Sequence, residues 1–430
     1  MTRTAAPLPA PATAPVAASG PAPSPADGVR APEWDEGLDC WVVADPRLAQ
    51  QVLNHPGFAS GTFERSFQLY MTDAARAEYR ELTEFLRLWF VQADAPEHMA
   101  LRRPVQRMLS ASYVRSLAPR VEEITDACLT ELAATDPQDL VPAVAEGISG
   151  KVMAHVVGVD VEPPVLHRWS RTLSLFIGAM YRRDHALAAH RVMEEMSEAL
   201  AGARALEGFP TDTPEDRART TATWAMCLFG GLETTASLLG SAVLTALGDP
   251  DLWETVKRDE PGAVADLVES VLVRKPPLRH LGRVVAYDQE FAGARLTEGD
   301  LVLVSLTGQG PLDEVEAQDA SAQAGPAVCP VTGAVAAETP GAASTGPGAA
   351  SVASGATPAA LAAGERNLVF GHGPHYCVGA PLARLEAAVL LRRLAARFPH
   401  ARLSDEAAVW GPNLSYVGLD HLYVDLGGED

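Results

Sequence analysis

The spacing of apolar residues predicts a mainly helical chain that carries a few short strands. Residues 41–43 form a short β-type run, and Asp45-Pro46 supplies the N-cap and the first-turn proline of a following helix. Apolar residues recur at helical spacing over 224–247 and again over 382–398, whereas 284–304 alternates as strands do. We therefore expect a mainly α fold with minor β-sheets.

Two stretches lack this patterning. Residues 1–30 are nearly all Ala, Pro, Ser, Thr and Gly, and about 308–364 is equally poor in aromatic and large aliphatic residues. Such compositions cannot bury enough apolar surface to offset their ordering entropy. We predict a disordered tail at 1–30 and one domain over 31–430, with a flexible excursion at about 308–364.

Composition narrows the possible partners and compartment. The chain has 430 residues, a net charge of −21 and a pI near 4.9, which argues against nucleic acid as a partner. No apolar run approaches the roughly 20 residues of a membrane span, and no signal pattern opens the chain, so we expect a soluble cytoplasmic protein without membrane contact. Its five cysteines are too few and too scattered for a disulfide framework or a zinc site.

The most informative run is FGHGPHYCVGAPLARLE, from Phe370 to residue 386. A cysteine binds a metal as the thiolate, and a glycine-rich loop leading into a helix offers backbone N–H donors and the positive end of a helix dipole. Gly371 permits a tight turn, and Gly379 lets the backbone approach a flat ligand. We expect Phe370 to screen the Cys377 sulfur from water.

This run resembles the signature of the cytochrome P450 family, which has a phenylalanine, two glycines, a basic residue two before the cysteine and a glycine two after it. The resemblance implies a cytochrome P450-like fold and haem b (iron protoporphyrin IX), with Cys377 as the axial iron ligand and His375 on a haem propionate. The alternative is a surface turn with a chance cysteine, which the length of the match disfavours. Cys329-Pro330 has two interpretations: a regulatory haem-binding dipeptide or, as we favour, an exposed cysteine in a low-complexity segment.

A second motif, DAPEHMALRR, begins at residue 94. His98 and Arg102 are four residues apart, so they share a helix face and could together bind a carboxylate. The resemblance implies that they hold the haem propionates and that Arg283 is a further propionate-binding residue. A solvated basic face is the alternative.

A third motif, FGGLETT over 229–235, interrupts the long apolar helix. Paired glycines in a helix interior cost about 1 kcal/mol each relative to alanine. The resemblance implies a distal helix that is locally opened for dioxygen, with Glu233 and Thr234 as the acid and alcohol that relay protons. Alternatively, the glycines permit close helix packing and the threonine bonds back to its own backbone. The aromatic residues between 58 and 90 either cover the distal pocket or pack in the core.

The chain also departs from the family pattern. The charged positions of the family's Glu-x-x-Arg motif fall on Ser270 and Val273, and the arginine that completes that network falls near Ala362. Glu269 and Arg274 are five residues apart, about 140° around a helix, so they cannot replace the pair. Losing all three charges together can be nearly neutral, but it puts the bracing of the proximal region in doubt.

The favoured hypothesis is a haem-thiolate monooxygenase that oxidises a small organic substrate by hydroxylation, ring formation or coupling. The resemblance implies electrons from NAD(P)H through a ferredoxin and its reductase, and the composition is typical of high-GC actinobacteria, whose family members often tailor natural products. The rival hypothesis is a family-derived auxiliary protein that binds another enzyme such as a glycosyltransferase. Four arginines are either a ferredoxin-docking patch or ordinary solvated charges: Arg384, Arg392, Arg393 and Arg397.

Overall fold

The computed structural model describes residues 29–204, 209, 211–308, 368–405, 408–411 and 417–427. The predicted tail and the predicted excursion therefore lie outside the described residues, except at their margins. At the first margin, Val29 is buried and the backbone N–H of Arg30 donates to Asp45 at 3.3 Å. The packed part of the chain thus includes the last two residues that the sequence assigned to the tail. Cys329 and Ala362 also lie outside the described part.

Helices dominate the described chain, as predicted. The α-helices are α1 Pro46–Asn54, α2 Thr62–Tyr70, α3 Asp73–Glu78, α4 Arg80–Arg87, α5 Glu97–Met108, α6 Ala111–Ser116, α7 Ala118–Ala133, α8 Glu146–Val157, α9 Pro163–Gly178, α10 Arg183–Ala201, α11 Pro214–Leu247, α12 Pro250–Lys257, α13 Ala263–Arg274 and α14 Ala380–Arg397. A π-helical turn, Val141–Ala145, leads directly into α8.

The first helix begins as its sequence predicts. The Asp45 carboxylate accepts hydrogen bonds from the backbone N–H groups of Arg47 and Leu48, and Pro46 occupies the first helical position. Both features satisfy or remove backbone donors that a helix N-terminus leaves unpaired. The aromatic-rich stretch that follows is mostly buried in the main hydrophobic core, which confirms packing for most of its rings.

In the described ranges, the strands are short and form one sheet of five strands with three small two-stranded sheets. They are β1 Glu33–Asp35, β2 Cys40–Val43, β3 Phe58–Ala59, β4 His280–Val285, β5 Gln289–Phe291, β6 Ala294–Leu296, β7 Leu301–Ser305, β8 Arg402–Leu403, β9 Val409–Trp410, β10 Leu419–His421 and β11 Val424–Asp425. The main sheet has the order β1-β2-β7-β4-β3; β2 and β7 are parallel and its other neighbours are antiparallel. The alternating run after residue 280 is thus β4 to β7.

Helix α11 is the central element of the fold. It packs against α8, α9, α10, α13 and α14, and most of its apolar residues are buried. By length and composition α11 could cross a membrane, but 61% of its most apolar window is buried inside the protein, as in the core helix of a soluble fold. Because α11 contacts α14, the helix that follows Cys377, the third sequence motif is brought beside the first.

Candidate active site

The loop before α14 places the Cys377 thiol with backbone geometry that requires glycine. Gly371 and Gly373 have φ values of +72° and +68°, in the left-handed region that side chains disfavour. The Cys377 backbone N–H donates to the Phe370 carbonyl at 2.9 Å and closes the turn. A Cβ added at Gly379 would meet only Cys377 Sγ, at 3.8 Å, so the space on that side is open. A flat ligand can therefore approach the sulfur.

The thiol lines a recess rather than protruding from the surface. Its side chain is exposed, yet surrounding protein desolvates it enough to raise the pKa of Cys377. Hydrogen bonds from the backbone N–H groups of Gly379 and Ala380, and the charges of Arg102 and Arg384, act in the opposite direction. The N–H donors predicted from the sequence are present, but burial outweighs their effect on the pKa of the thiol.

A cluster of basic side chains lies beside this loop. His98 and Arg102 share one face of α5 as predicted, and both are buried; Arg283 on β4 is buried as well. The rings of His98 and His375 stack with centroids 3.9 Å apart. The spacing of four residues on α5 and the position of Arg283 thus bring the predicted residues together.

The cluster carries more positive character than its surroundings balance. Burial, followed by the charge of Arg102, lowers the pKa of His98 to about 4. Burial, followed by His98, lowers the pKa of His375 to about 3, and burial lowers the pKa of Arg283 to about 10. Asp94 is the carboxylate that acts in the opposite sense on His98 and Arg283. A ligand with further carboxylates would relieve this imbalance.

Unpartnered atoms in the cluster point to the same kind of ligand. His98 Nε2 and Arg102 Nε are buried without hydrogen-bond partners, a costly state unless a ligand supplies acceptors. Arg102 also donates to the Tyr376 carbonyl, and Ser60 Oγ lies 3.0 Å from His375 Nε2. Within the described ranges, no cluster of three or more His, Cys, Asp or Glu could hold a metal ion by itself. The residues present fit a haem, whose propionates supply the acceptors and whose porphyrin supplies the other iron ligands.

Helix α11 forms the opposite wall of the site and runs without interruption through the glycine pair. A Cβ at Gly231 would lie 2.6 Å from Met153 Sδ of α8, whereas at Gly230 the nearest atom is Met226 Cε at 3.6 Å. Thr234 Oγ1 donates to the Gly230 carbonyl at 2.6 Å. Close helix packing through glycine and a threonine bonded to its own backbone, the alternative predicted for this motif, are therefore both present. The predicted local opening of α11 is absent from this described helix.

Glu233 points from α11 toward α9. Its Oε1 atom is buried without a hydrogen-bond partner, 3.8 Å from His167 Nδ1 and 3.9 Å from Arg171 Nε. Arg171 in turn donates to the Glu146 carboxylate. Burial, the largest influence, raises the pKa of Glu146, and His167 and Arg171 counteract it. Glu233 thus belongs to a group of two largely buried carboxylates, one buried histidine and one half-exposed arginine.

Comparison with known proteins decides the family. The chain is 29% identical over 410 residues to "Cytochrome P450 107B1" of Saccharopolyspora erythraea, covering 91% of this chain and 90% of that protein. It is 28% identical over 350 residues to "6-deoxyerythronolide B hydroxylase" of the same organism, covering 78% and 77%. The chain belongs to the cytochrome P450 family. No family model matches it.

The fold comparison agrees with this assignment. The solved structure of HmtN, a post-tailoring hydroxylase involved in himastatin biosynthesis, aligns with a TM-score of 0.65 at 23% identity, covering 93% of this chain and 95% of that one. As a cytochrome P450, the chain is a monooxygenase-type oxidoreductase that uses haem and an external electron supply. The auxiliary-protein hypothesis gains no support, because these relatives are named as oxidative enzymes.

The proximal side of this cytochrome P450 departs from the family pattern, as the sequence indicated. Ser270 and Val273 lie on α13 as neutral residues, and Val273 is exposed. Glu269 forms an ion pair across the interface to Arg384 of α14, through Arg384 Nε to Oε1 and through an amino group 3.1 Å from Oε2. Glu269 therefore pairs with neither Arg274 nor a residue of its own helix.

Arg384 ties this ion pair to the cysteine loop. Its guanidinium lies 4.5 Å from the centre of the Phe370 ring, and its side chain also bonds to that of Tyr376. Phe370 and Tyr376 flank Cys377, and their ring centres are 6.4 Å apart. We call the ion pair of Glu269 and Arg384, together with the contacts of Arg384 with these two rings, the proximal clamp. Sequence spacing could not reveal it, because its two charges are 115 residues apart.

The four arginines considered as a docking patch all have partners within the chain. Arg384 belongs to the proximal clamp. The other three donate hydrogen bonds: Arg392 Nε to Asp259 at 2.9 Å, Arg393 Nε to Asp126 at 2.7 Å and Arg397 to Thr130 Oγ1 at 2.6 Å. Three of these guanidinium groups are thus paired with a carboxylate, and that of Arg397 donates to a hydroxyl. The geometry lends more support to the alternative of ordinary solvated charges.

Proposed function

We propose that this cytochrome P450 is a haem b monooxygenase that inserts oxygen into a small, largely apolar organic molecule, an intermediate of natural-product biosynthesis. The observation that carries the proposal is the accessible Cys377 thiol beside a basic cluster of buried His98, Arg102 and Arg283 and partly buried His375. Haem b bound there would supply the activation of dioxygen. The chain's own residues would hold the haem, bind the substrate and deliver protons.

The haem would be held from two sides. Cys377 would ligate the iron, with the charge of Arg102 and the N–H groups of Gly379 and Ala380 favouring the thiolate. Arg102, with the other basic side chains, would bind the propionates, which fill the acceptor role that buried His98 Nε2 and Arg102 Nε lack. Charge-assisted hydrogen bonds of this kind are worth about 1.5–3 kcal/mol each.

Aromatic rings fill the interior beside α11, where they pack on one another. Trp89 packs on Phe229 of α11 with ring centres 4.9 Å apart, and Phe67 stacks on Phe176 of α9 at 6.4 Å. The relatives named as a 6-deoxyerythronolide B hydroxylase and a himastatin-pathway hydroxylase act in natural-product biosynthesis, which supports the same class here.

Glu233 and Thr234 would deliver protons to the open face of the haem. A carboxyl and a neighbouring hydroxyl on one helix can pass a proton in sequence, because each group both donates and accepts. Thr234 Oγ1 already bonds to the Gly230 carbonyl, and this contact fixes the rotamer of its side chain. Hydroxylation is the expected outcome; ring formation or coupling would result if the oxidised substrate reacts internally before oxygen is inserted.

Electrons would come from NAD(P)H through a ferredoxin reductase and a ferredoxin in the cytoplasm. The bacterial relatives support such a soluble supply. Since the arginines of α14 are internally paired, docking would have to compete with those contacts. Ferredoxin affinity should therefore be moderate and fall as ionic strength rises.

The test is coupled turnover with ferredoxin, reductase and NADPH, with substrates selected by their binding spectra. Thr234→Ala and Glu233→Gln should lower product per NADPH by about ten-fold or more and release the lost electrons as hydrogen peroxide. Thr245→Ala is the matched control, because Thr245 Oγ1 on the same helix also bonds back to its backbone, at 2.7 Å. Equal coupling in Thr234→Ala and Thr245→Ala would contradict the proton-delivery role.

A further inference from the structure

His167 on α9 is a buried histidine that the proposed function has not yet used. It is 1% exposed, and its Nε2 atom lies 3.1 Å from the Glu146 carbonyl and 3.1 Å from Ser149 Oγ. A carbonyl oxygen only accepts hydrogen bonds, and the Ser149 hydroxyl donates to the Ala145 carbonyl at 3.0 Å. Nε2 must therefore carry the proton of this contact.

The other ring nitrogen faces Glu233. With a proton on Nε2, a neutral imidazole presents a lone pair at Nδ1, which lies 3.8 Å from Glu233 Oε1. Two lone pairs do not attract each other, and the buried Oε1 atom has no hydrogen-bond partner. A second proton on the ring would convert this contact into a charge-assisted hydrogen bond after a small movement.

The charged groups around the pair are mostly carboxylates. The titratable and charged groups that face it are Glu146 from α8, Arg171 from α9, Glu233 from α11 and Asp420 from β10. Arg171 alone offsets the carboxylates, and its side chain is 50% exposed, while that of Glu233 is 17% exposed. An imidazolium at His167 would compensate the buried negative charge and satisfy both ring nitrogens.

We propose that His167 is the residue that positions and reloads the proton on Glu233, and that its imidazolium donates from Nδ1 to Glu233 Oε1. In the transfer, the Nδ1–H bond breaks as the Oε1–H bond forms, and His167 stays neutral with its proton on Nε2. A proton from solvent then restores the imidazolium, entering beside the half-exposed side chain of Arg171. This inference rests on the proposed role of Glu233 in proton delivery.

The first test is spectroscopic and independent of turnover. In ¹⁵N-histidine-labelled holoprotein, held diamagnetic as the reduced carbon monoxide complex, His167 should show two protonated ring nitrogens at neutral pH. Glu233→Gln should remove the Nδ1 proton, because the amide leaves no negative charge to hold it. A single protonated nitrogen, at Nε2, in the unsubstituted protein would overturn the proposal.

The second test measures coupling and its pH profile. The His167→Gln amide can still donate to the Glu146 carbonyl but has no titratable proton, so coupled turnover should fall about ten-fold and the pH profile should lose one ionisation. His190→Gln is the matched control: His190 Nε2 on α10 also lies 3.8 Å from a carboxylate, but that of Glu194, which is 63% exposed and on α10 rather than α11. It should change neither quantity.

The two variants distinguish the role of His167 from the proton-delivery role of Glu233. If Glu233→Gln uncouples turnover while His167→Gln does not, the role of His167 is wrong and the proton-delivery role of Glu233 stands. If neither uncouples turnover, proton delivery through Glu233 is itself wrong. If both do, the double variant should be no worse than either single one, since the two residues would act in one path.

Discussion

The two walls of the haem site are built in different ways. On the distal wall, formed by α8, α9 and α11, His167 is buried, and the Glu233 side chain, 17% exposed, faces it from α11. On the proximal wall, formed by α13, the cysteine loop and α14, the linking charges are Glu269 and Arg384, whose side chains are 45% and 34% exposed. Removing one partner of a buried charged pair costs several kcal/mol, about 3–5, because the other charge stays buried and unpaired. A half-exposed ion pair contributes at most about 1 kcal/mol to stability, so its loss is tolerated.

This contrast indicates where the chain can vary without losing its chemistry. Ser270 and Val273 show that the proximal helix α13 has no charge at the family's two motif positions, and the proximal clamp spans the same interface with a different pair. The distal group lacks that freedom, because removing one charge would leave the others buried and unbalanced.

The largest effect should come from the basic cluster that joins the two walls. Arg102→Ala should weaken haem retention by roughly ten- to a hundred-fold, because charge-assisted bonds of about 1.5–3 kcal/mol each are lost. Haem transfer to apomyoglobin measures this directly. Arg103→Ala is the matched control, since Arg103 is the exposed neighbour on the same helix. Equal haem loss in the two variants would show that Arg102 does not hold the haem.

Acid should destabilise the haem-free protein more than the haem-bound one. His98 and His375 have lowered pKa values, about 4 and about 3, so the folded state keeps them neutral while the unfolded chain protonates near its usual value of about 6.5. Stability present above pH 6.5 is then lost as pH falls toward 4, by about 1–3 kcal/mol for buried His98. Propionates would offset this loss in the haem-bound protein.

Urea unfolding at pH 7.5 and at pH 5 measures this difference in each form. The midpoint of the haem-free protein should drop clearly between the two conditions, and that of the haem-bound protein should drop less. Parallel losses in the two forms would argue against propionates in the basic cluster.

The two glycines of α11 should respond differently to alanine. Gly230→Ala should stabilise the protein by up to about 1 kcal/mol, because helix propensity improves and the nearest atom to the new Cβ is 3.6 Å away. Gly231→Ala places its Cβ 2.6 Å from Met153 Sδ, and overpacking of this kind costs about 1–3 kcal/mol. Thermal unfolding of the two variants measures the difference; equal melting temperatures would mean that Gly231 is not needed for the contact with α8.

The smallest effect should come from the proximal clamp. Glu269→Gln should speed haem loss by about two- to five-fold, since a half-exposed ion pair contributes at most about 1 kcal/mol. Asp259→Asn is the matched control, because it breaks the Arg392 pair on the same helix away from the cysteine loop. A ten-fold or larger effect of Glu269→Gln alone would mean that the proximal wall is as charge-dependent as the distal one.

Local signals predicted much of this site. The glycines around Cys377 and the four-residue spacing of His98 and Arg102 specify geometry within one loop or one helix, so the sequence could reveal them. Contacts between distant segments left no such signal. The approach of His167 to Glu233 and that of Glu269 to Arg384 depend on how whole helices pack, which no local pattern encodes.

The role of the glycine pair in α11 also depends on contacts between helices. Both the functional and the structural interpretation of Gly231 were consistent with its sequence, and its contact with Met153 became apparent only with α8 in place. Likewise, the docking role considered for Arg392 and Arg393 could not be weighed until their partners Asp259 and Asp126 were known.

The most direct test of the central claim is the absorption spectrum of the reduced, carbon monoxide-bound protein, recorded beside that of Cys377→Ala. The claim is that an intact thiolate haem site is held on a proximal wall lacking the family's charges. We expect the red-shifted thiolate band in the unsubstituted protein and its complete loss in Cys377→Ala. Failure of the unsubstituted protein to bind haem, or haem binding without that band, would contradict the claim.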